Sequence, residues 1–231
     1  DHITIGMLNH IKVRGFYVED MDRDTLLYAS SVVAQIGPLA SMKEHFTISS
    51  AKLSNAVLYL RETERDIINI KEVTDKISNP DKKKKGKFAL KINSVDADSV
   101  SFRLQRFDDR RYESGVDYAD MYLQNIKTHI DGLYVRSGGI VGGDITSLDF
   151  VEKSGFVLDN LSGRFMVDRG KISVTDVMIE AVGSQVYLPT ILLTGESWES
   201  YHDFIRNVRL DIDVEKSLVT SDMVGYFAPQ L

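Results

Sequence analysis

Five histidines, His2, His10, His45, His129 and His202, are the side chains best suited to metal binding or proton transfer in this chain. None falls in an HExxH or HxH arrangement, the spacings that set two imidazoles on one ion. No GxSxG nucleophile elbow occurs, and no GxxxxGK loop followed by Ser or Thr. The run Ser137-Gly138-Gly139-Ile140-Val141-Gly142-Gly143-Asp144 does not fit GxGxxG and is expected to be a turn or bend between strands. Carboxylates gather at Asp20, Asp22 and Asp24, and at Asp96 and Asp98. A calcium loop needs a longer oxygen series closed by Glu, with Gly at the sharp turn, and neither group supplies it. Asp22-Arg23-Asp24 and Asp108-Asp109-Arg110-Arg111 are expected at hairpin tips, and Asn160-Leu161-Ser162 is a short match to a glycosylation sequon. With no cysteine there is no disulfide framework, no thiolate zinc or iron–sulfur site and no thiol nucleophile. The residues assemble no catalytic constellation, so the expectation is a non-enzyme without metal or cofactor.

The elements that carry these residues belong to an ordinary folded chain. It has 231 residues, 43% hydrophobic and 27% charged, with only 4 Pro. A net charge of −6 and a pI near 5.4 argue against a nucleic-acid partner, which needs clustered Lys and Arg. Absence of cysteine suits an oxidising compartment. No run approaches the roughly 20 apolar residues that span a bilayer. The chain opens on Asp1 and stops at Leu231, and is expected to be a piece of something longer, with any membrane anchor outside it.

The hydrophobic period is mostly two, which predicts strands. One split alternation recurs: apolar, any, apolar, any, any, apolar, any, apolar. It runs through Ile172, Val174, Val177, Ile179, through Leu90, Ile92, Val95, Ala97, and through Phe46, Ile48, Ala51, Leu53. Weaker copies are Ile11, Val13, Phe16, Val18, then Met121, Leu123, Ile126, Thr128, and Phe156, Leu158, Leu161, Gly163. Val100, Phe102, Leu104 and Ala56, Leu58, Leu60 extend two of them, and Val182 begins an extension of the first. One extra residue in a strand would turn the apolar set to the wrong face. A bulge or bend at each double spacer keeps one face apolar. The spacers are Arg14-Gly15, Ser49-Ser50, Asn93-Ser94, Gln124-Asn125, Asp159-Asn160 and Thr175-Asp176, small or polar residues suited to bends. Set at matching levels in neighbouring strands, they would curl the sheet into a trough. The fold expected is mainly β: a curved antiparallel sheet forming an open groove, with a few short amphipathic helices.

Residues 69–77 place Ile70, Val73 and Ile77 on one helical face, and residues 197–206 place Trp198, Tyr201, Phe204 and Ile205 together. A shorter turn is expected from Pro38 to His45. These helices would plug or cap an apolar sheet. The lysine-rich stretch at 80–87 is an exposed loop on this reading. It divides the chain into an N-terminal β segment, 1–79, and a C-terminal β-groove segment, 88–231.

Several stretches resemble a known family. Gly15-Phe16-Tyr17-Val18-Glu19-Asp20-Met21-Asp22-Arg23-Asp24-Thr25-Leu26-Leu27-Tyr28-Ala29 resembles the "V-E-D…G-D-T-L-L-Y-A" segment of Bacteroidetes-type TamB proteins of the AsmA-like superfamily, with Arg23 in place of the usual Gly. Leu148 to Leu161 is similar to that family's "F-x-E-K-S-G-F-x-L-x-x-L", and the stretches Ser197–Phe204 and Tyr226–Pro229 also resemble family segments. The resemblance runs from about Ile11 to Pro229 and implies a fragment near the family's N-terminal part.

It implies a periplasmic, β-rich envelope protein, anchored in the inner membrane by a segment outside this chain. It further implies lipid transport: an apolar groove holding phospholipid acyl chains between inner and outer membrane. An Omp85-type outer-membrane barrel would be a partner through regions outside this chain. Residues assigned to the lipid groove are Leu90, Ile92, Val95, Ala97, Phe156, Leu158, Ile172, Val174, Val177 and Ile179. The alternative is a structural or interaction module for outer-membrane protein assembly, its sheet closed over its own core and its edge open to partner strands.

Overall fold

The computed structural model describes residues 2–6, 10–42, 45–62, 68–70, 89–107, 114–136, 139–168, 170–197, 200 and 204–228. The strands are β1 His2–Gly6, β2 His10–Glu19, β3 Thr25–Met42, β4 His45–Arg61, β5 Ala89–Gln105, β6 Asp120–Arg136, β7 Ile140–Glu152, β8 Val157–Asp168, β9 Lys171–Ala181, β10 Ser184–Gly195 and β11 Val208–Asp213. Two short helices, α1 (Phe204–Asn207) and α2 (Ser221–Phe227), flank β11. All eleven strands form one sheet in sequence order. The sheet is open and curved, as the split alternation predicts.

Pairing is antiparallel at every junction but one. β4 and β5 run parallel, with Phe46 beside Leu90, Ile48 beside Ile92, Ala51 beside Val95 and Leu53 beside Ala97. A parallel pair needs a crossover rather than a hairpin, and the long segment between Arg61 and Ala89 supplies it. One sheet therefore runs through both parts of the chain. The lysine-rich stretch at 80–87 lies outside the described residues, as do 108–113.

Two lines of paired polar residues cross these strands: Arg14 faces Ser31, Ser31 faces Ser54 and Ser54 sits beside Asp98, whereas the expected spacers of β4 and β5 meet on the other line, where Ser50 sits beside Ser94. Gly15, Asn55 and Ser99, next to the first line, have φ of 67°, 50° and 56°. Asn125 in β6 and Asp176 in β9 repeat the left-handed conformation at their own spacers, with φ of 53° and 56°. Small polar residues tolerate this conformation better than β-branched ones do. In β4, Ser49 is the extra residue against β3, where Gln35 faces Ser50 and Ile36 faces Ile48. Around Asp159 the β8–β9 register also shifts.

One helical expectation is corrected, and the other two lie mostly outside the described residues. Pro38 to Met42 continue β3 instead of forming a turn, and residues 43–44 lie outside the described set. Of 69–77 only Asn69 and Ile70 are described, both helical. Of 197–206 the helix described is α1, while 198–199 and 201–203 lie outside the described residues. Among the described residues, α2 packs on the sheet through Tyr226 and Phe227. Thr220 caps it, accepting a hydrogen bond from the Met223 amide at 3.3 Å.

Candidate functional site

One face of the sheet is apolar from strand to strand. On β5, Leu90, Ile92, Val95 and Ala97 are half-buried, while Lys91, Asn93, Asp96 and Asp98 between them are exposed. Registered pairs carry this face across the sheet. Phe46 sits beside Leu90, Leu90 faces Val135, Val135 faces Val141, Val141 faces Val167, Val167 faces Ile172, Ile172 faces Leu193, and Leu193 faces Leu210. That row links β4 to β11 and places Ile172 on the face of Leu90. Val174 shares it through Phe165, and Ile179 through Leu161, since Leu161, Phe165 and Val167 alternate regularly along β8. The bulge at Asp176 keeps Val177 on this face, where it packs within 3.2 Å of the space above Gly163. Leu158 joins through its pairings with Phe150 and Ala181. Nine of the ten residues assigned from the sequence therefore lie on one surface, and the tenth, Phe156, precedes β8 and packs in a cluster with Leu158 and Ala181.

Burial along that surface is uneven. Phe156, Leu158, Val116 and Ala181 form a closed cluster, with Leu148, Phe150, Leu161, Ile179, Val182 and Tyr226 packed against it. Val177 and Val186 are also buried. Toward the other end, Leu90, Ile92, Ile172 and Val174 are only half-buried. Residues that the sequence reading left out include Leu133, Val135, Phe165, Val167, Ile191 and Leu193. The signal for Ile191 and Leu193 was present, because Val186, Leu188, Ile191 and Leu193 repeat the same split alternation.

The opposite face is polar and aromatic. Arg103 lies between the rings of Tyr59 and Tyr122, 5.6 and 5.9 Å from their centres. His129 Nδ1 lies 2.7 Å from Asp96 Oδ1 and its Nε2 lies 3.3 Å from Asp131 Oδ1. The hydrogen bond to Asp96 raises the imidazole pKa, burial opposes it weakly, and Asp131 adds to the rise. A depression of about 280 Å³ on this face is lined by Tyr134, Asp144, Arg164, Met166, Ser173 and Thr175. Tyr134 lies across Gly142, and its ring is covered in turn by Arg136 at 4.6 Å. The glycine run is thus partly a turn, at Gly139 (φ 80°), and partly strand, with Gly142 and Gly143 buried inside β7.

Three carboxylates, Asp20, Asp117 and Glu152, are buried, and Asp117 Oδ1 accepts the Ala119 amide at 3.0 Å. Asp20 Oδ1 accepts the amides of Asp22 and Asp24 at 3.0 Å, and its Oδ2 accepts Arg61 Nε and Asn69 Nδ2 at 3.0 Å. Burial pushes its pKa up, but the bonds from Asn69, Arg61 and the two amides together hold it below the usual aspartate value. Asp22-Arg23-Asp24 forms the β2–β3 turn, and Arg23 has φ 69°. Glu152 accepts the Tyr122 amide at 3.1 Å and the Ser154 amide at 2.7 Å, closing the β7–β8 hairpin. Lys153 reaches Asp120 at 2.9 Å. Asn160-Leu161-Ser162 lies within β8.

Among the described residues no helix is long and apolar enough to cross a membrane. The chain matches no protein-family model and no curated protein sequence.

Proposed function

We propose that this chain is a non-catalytic segment of an AsmA/TamB-like envelope protein, and that its apolar face binds and conducts phospholipid acyl chains between inner and outer membrane. The observation that carries the reading is the row from Phe46 through Leu90 and Ile172 to Leu210, a registered apolar path across β4 to β11. Leu90, Ile92, Ile172 and Val174 stay half-buried, so apolar surface remains there for a guest. Each methylene buried against it contributes about 0.8 kcal/mol. A surface of this kind selects for hydrocarbon and sets few demands on a headgroup. The periplasmic location, the inner-membrane anchor and an Omp85-type partner belong to the same proposal through the family resemblance.

A second reading, an assembly module that adds a partner strand, is favoured by β11. This outermost strand exposes Leu210 and Ile212 at 48% and 46%.

The two readings separate on a pair of substitutions in the full-length protein. Val174 lies on the apolar face and Ser173 lines the outer depression. A carboxylate at Val174 faces the guest and carries a desolvation penalty. Val174→Asp, once shown folded and delivered to the envelope, is expected to lose photocrosslinking to phospholipid and outer-membrane integrity. Ser173→Asp is expected to keep both. Equal performance of the two variants would remove the conduit reading for this segment and favour strand addition.

A further inference from the structure

We propose that α2 is a displaceable plug, competing with acyl chains for the Phe156 end of the apolar face. This rests on the lipid-binding reading above and adds a regulatory contact to it. The buried cluster of Val116, Phe156, Leu158 and Ala181 has Tyr226 of this helix packed against it. Phe156 makes edge-on contacts with Tyr226 and Phe227, at centroid distances of 5.6 and 4.9 Å. These rings occupy the position that a guest chain would take on reaching Leu158 and Ala181.

The helix is built to sit there and built weakly. Its seven residues include Gly225 near the C-terminal end, and none of them is buried. An isolated helix of this length does not hold together in water, and glycine costs it about 1 kcal/mol relative to alanine. Phe227 remains 41% exposed even when docked. Attachment comes from its two ends. At the first, Thr220 Oγ1 donates to the Val182 carbonyl at 3.0 Å, and the Thr220 amide donates to Ser184 Oγ at 2.9 Å. At the second, the Val116 amide donates to the Tyr226 carbonyl at 2.8 Å, and the Tyr226 hydroxyl donates to the Gly155 carbonyl at 3.2 Å. Gly115 permits the second attachment, because a Cβ there would stand 2.5 Å from the Tyr226 carbonyl oxygen. Surface of this kind, with few buried contacts and a short hydrogen-bonded unit, opens by local unfolding well before the sheet does.

An engineered tether tests the plug. Ser184 Oγ and Thr220 Oγ1 lie 2.9 Å apart, so Ser184→Cys with Thr220→Cys sets two thiols side by side, and closure of the disulfide is verified by mass before the test. The chain has no other cysteine, so a reductant acts on that bond alone. A photoreactive phenylalanine is placed at Ile179, beside the plug, or at Val174, toward the half-buried end. Each protein is incubated with vesicles of phosphatidylethanolamine and phosphatidylglycerol. The probe at Val174 is expected to crosslink lipid in either state. The probe at Ile179 is expected to crosslink lipid both with Ser184 and Thr220 in place and after reduction of the cysteine pair, and to lose at least fivefold when the disulfide is closed. Equal crosslinking at Ile179 in both states, or none there beside strong crosslinking at Val174, overturns the plug while leaving the lipid reading intact. No crosslinking at either position overturns both. Hydrogen exchange on the unsubstituted chain supplies an independent measurement: vesicles should speed exchange of the Val224 and Ala228 amides at least threefold. Unchanged or slowed exchange there, with lipid bound, also overturns the plug.

Discussion

Asn55 and Ser99 lie side by side on the parallel strands β4 and β5, both in the left-handed conformation, with φ of 50° and 56°. Each follows a paired residue, Ser54 beside Asp98, and precedes another, Ala56 beside Val100. The bend is therefore a property of the two strands together. It lets Leu53 and Ala56, and likewise Ala97 and Val100, share the apolar face across a three-residue step.

A left-handed L-residue costs roughly 1–2 kcal/mol, and asparagine is among the residues that tolerate it best. Ser99→Gly relieves that cost and is expected to stabilise the chain by about 0.5–1 kcal/mol, with a smaller gain for Asn55→Gly. Ser99→Val is expected to destabilise it by more than 1 kcal/mol, since a β-branched residue resists this conformation most. Midpoints of urea unfolding check all three. A loss of stability in Ser99→Gly would mean that the serine side chain, not the backbone, fixes the bend.

Arg23 presents the same conformation in a turn, at φ 69°. It stands where the resembling family carries glycine. Arg23→Gly is expected to raise stability by about 0.5–1 kcal/mol. The expected pattern is a shifted unfolding midpoint with an unchanged urea slope.

The Asp20 network sets an acid limit. Its folded pKa is lowered, so its contribution is fully present above the unfolded value of 3.8 and is lost as pH falls through the folded pKa. Asp20→Ala takes one acceptor from Arg61, one from Asn69 and that of two backbone amides, while Arg61 keeps Asp22 and Asp24 and Asn69 keeps the Tyr59 carbonyl, and it is expected to cost about 2 kcal/mol at neutral pH. Asp20→Asn keeps the shape and one acceptor oxygen, and should cost less. Below pH 4 the wild type should lose its advantage over Asp20→Asn, as followed by thermal unfolding at a series of pH values.

His129 works in the opposite direction. Its folded pKa is raised by Asp96 and Asp131, so its contribution is present below the unfolded value of 6.5 and is lost as pH rises through the folded pKa. The ring is 36% exposed and Asp96 52% exposed, so solvent screening keeps the contribution to about 0.5 kcal/mol. His129→Gln is expected to flatten the stability profile above pH 6.5, which an NMR titration of the imidazole would corroborate.

How much of this was legible in the sequence depends on what each pattern encodes. Side-chain alternation encodes faces, and the phase assigned to Leu90–Ala97 and Ile172–Ile179 holds in the folded sheet. Alternation does not encode strand direction, and the parallel junction was missed. A signal for it exists: Phe46, Ile48, Ala51, Leu53 recurs as Leu90, Ile92, Val95, Ala97 with the same steps in the same order, which is what an in-register parallel pair requires. The packing of 221–227 against Phe156 was not anticipated. Residues 221–227 are too short, and too interrupted by Gly225, to announce a helix by period. Glu152 was quoted as part of a motif, yet its burial comes from the Tyr122 and Ser154 amides, a contact that only the folded hairpin creates.

The unequal burial of the apolar face yields a last prediction, one that separates packing from guest binding on a single surface. Phe156 is 5% exposed and lies in the closed cluster, whereas Ile172 is half-buried on the row that begins at Phe46. Truncating a packed phenylalanine leaves a cavity and typically costs about 3–5 kcal/mol. Truncating a half-buried isoleucine removes contacts on one side only, and the expected cost is about 1–1.5 kcal/mol. Phe156→Ala should therefore lower the unfolding midpoint strongly. Ile172→Ala should lower it slightly in the absence of lipid. With phospholipid bound, the order of effects on loading should reverse, because Ile172 contributes its area to the guest and Phe156 contributes its area to the fold. Paired urea titrations and lipid-loading measurements on the two variants decide this. Equal stability losses would mean that the Ile172 end is packed as tightly as the Phe156 end, leaving no unfilled apolar surface for an acyl chain.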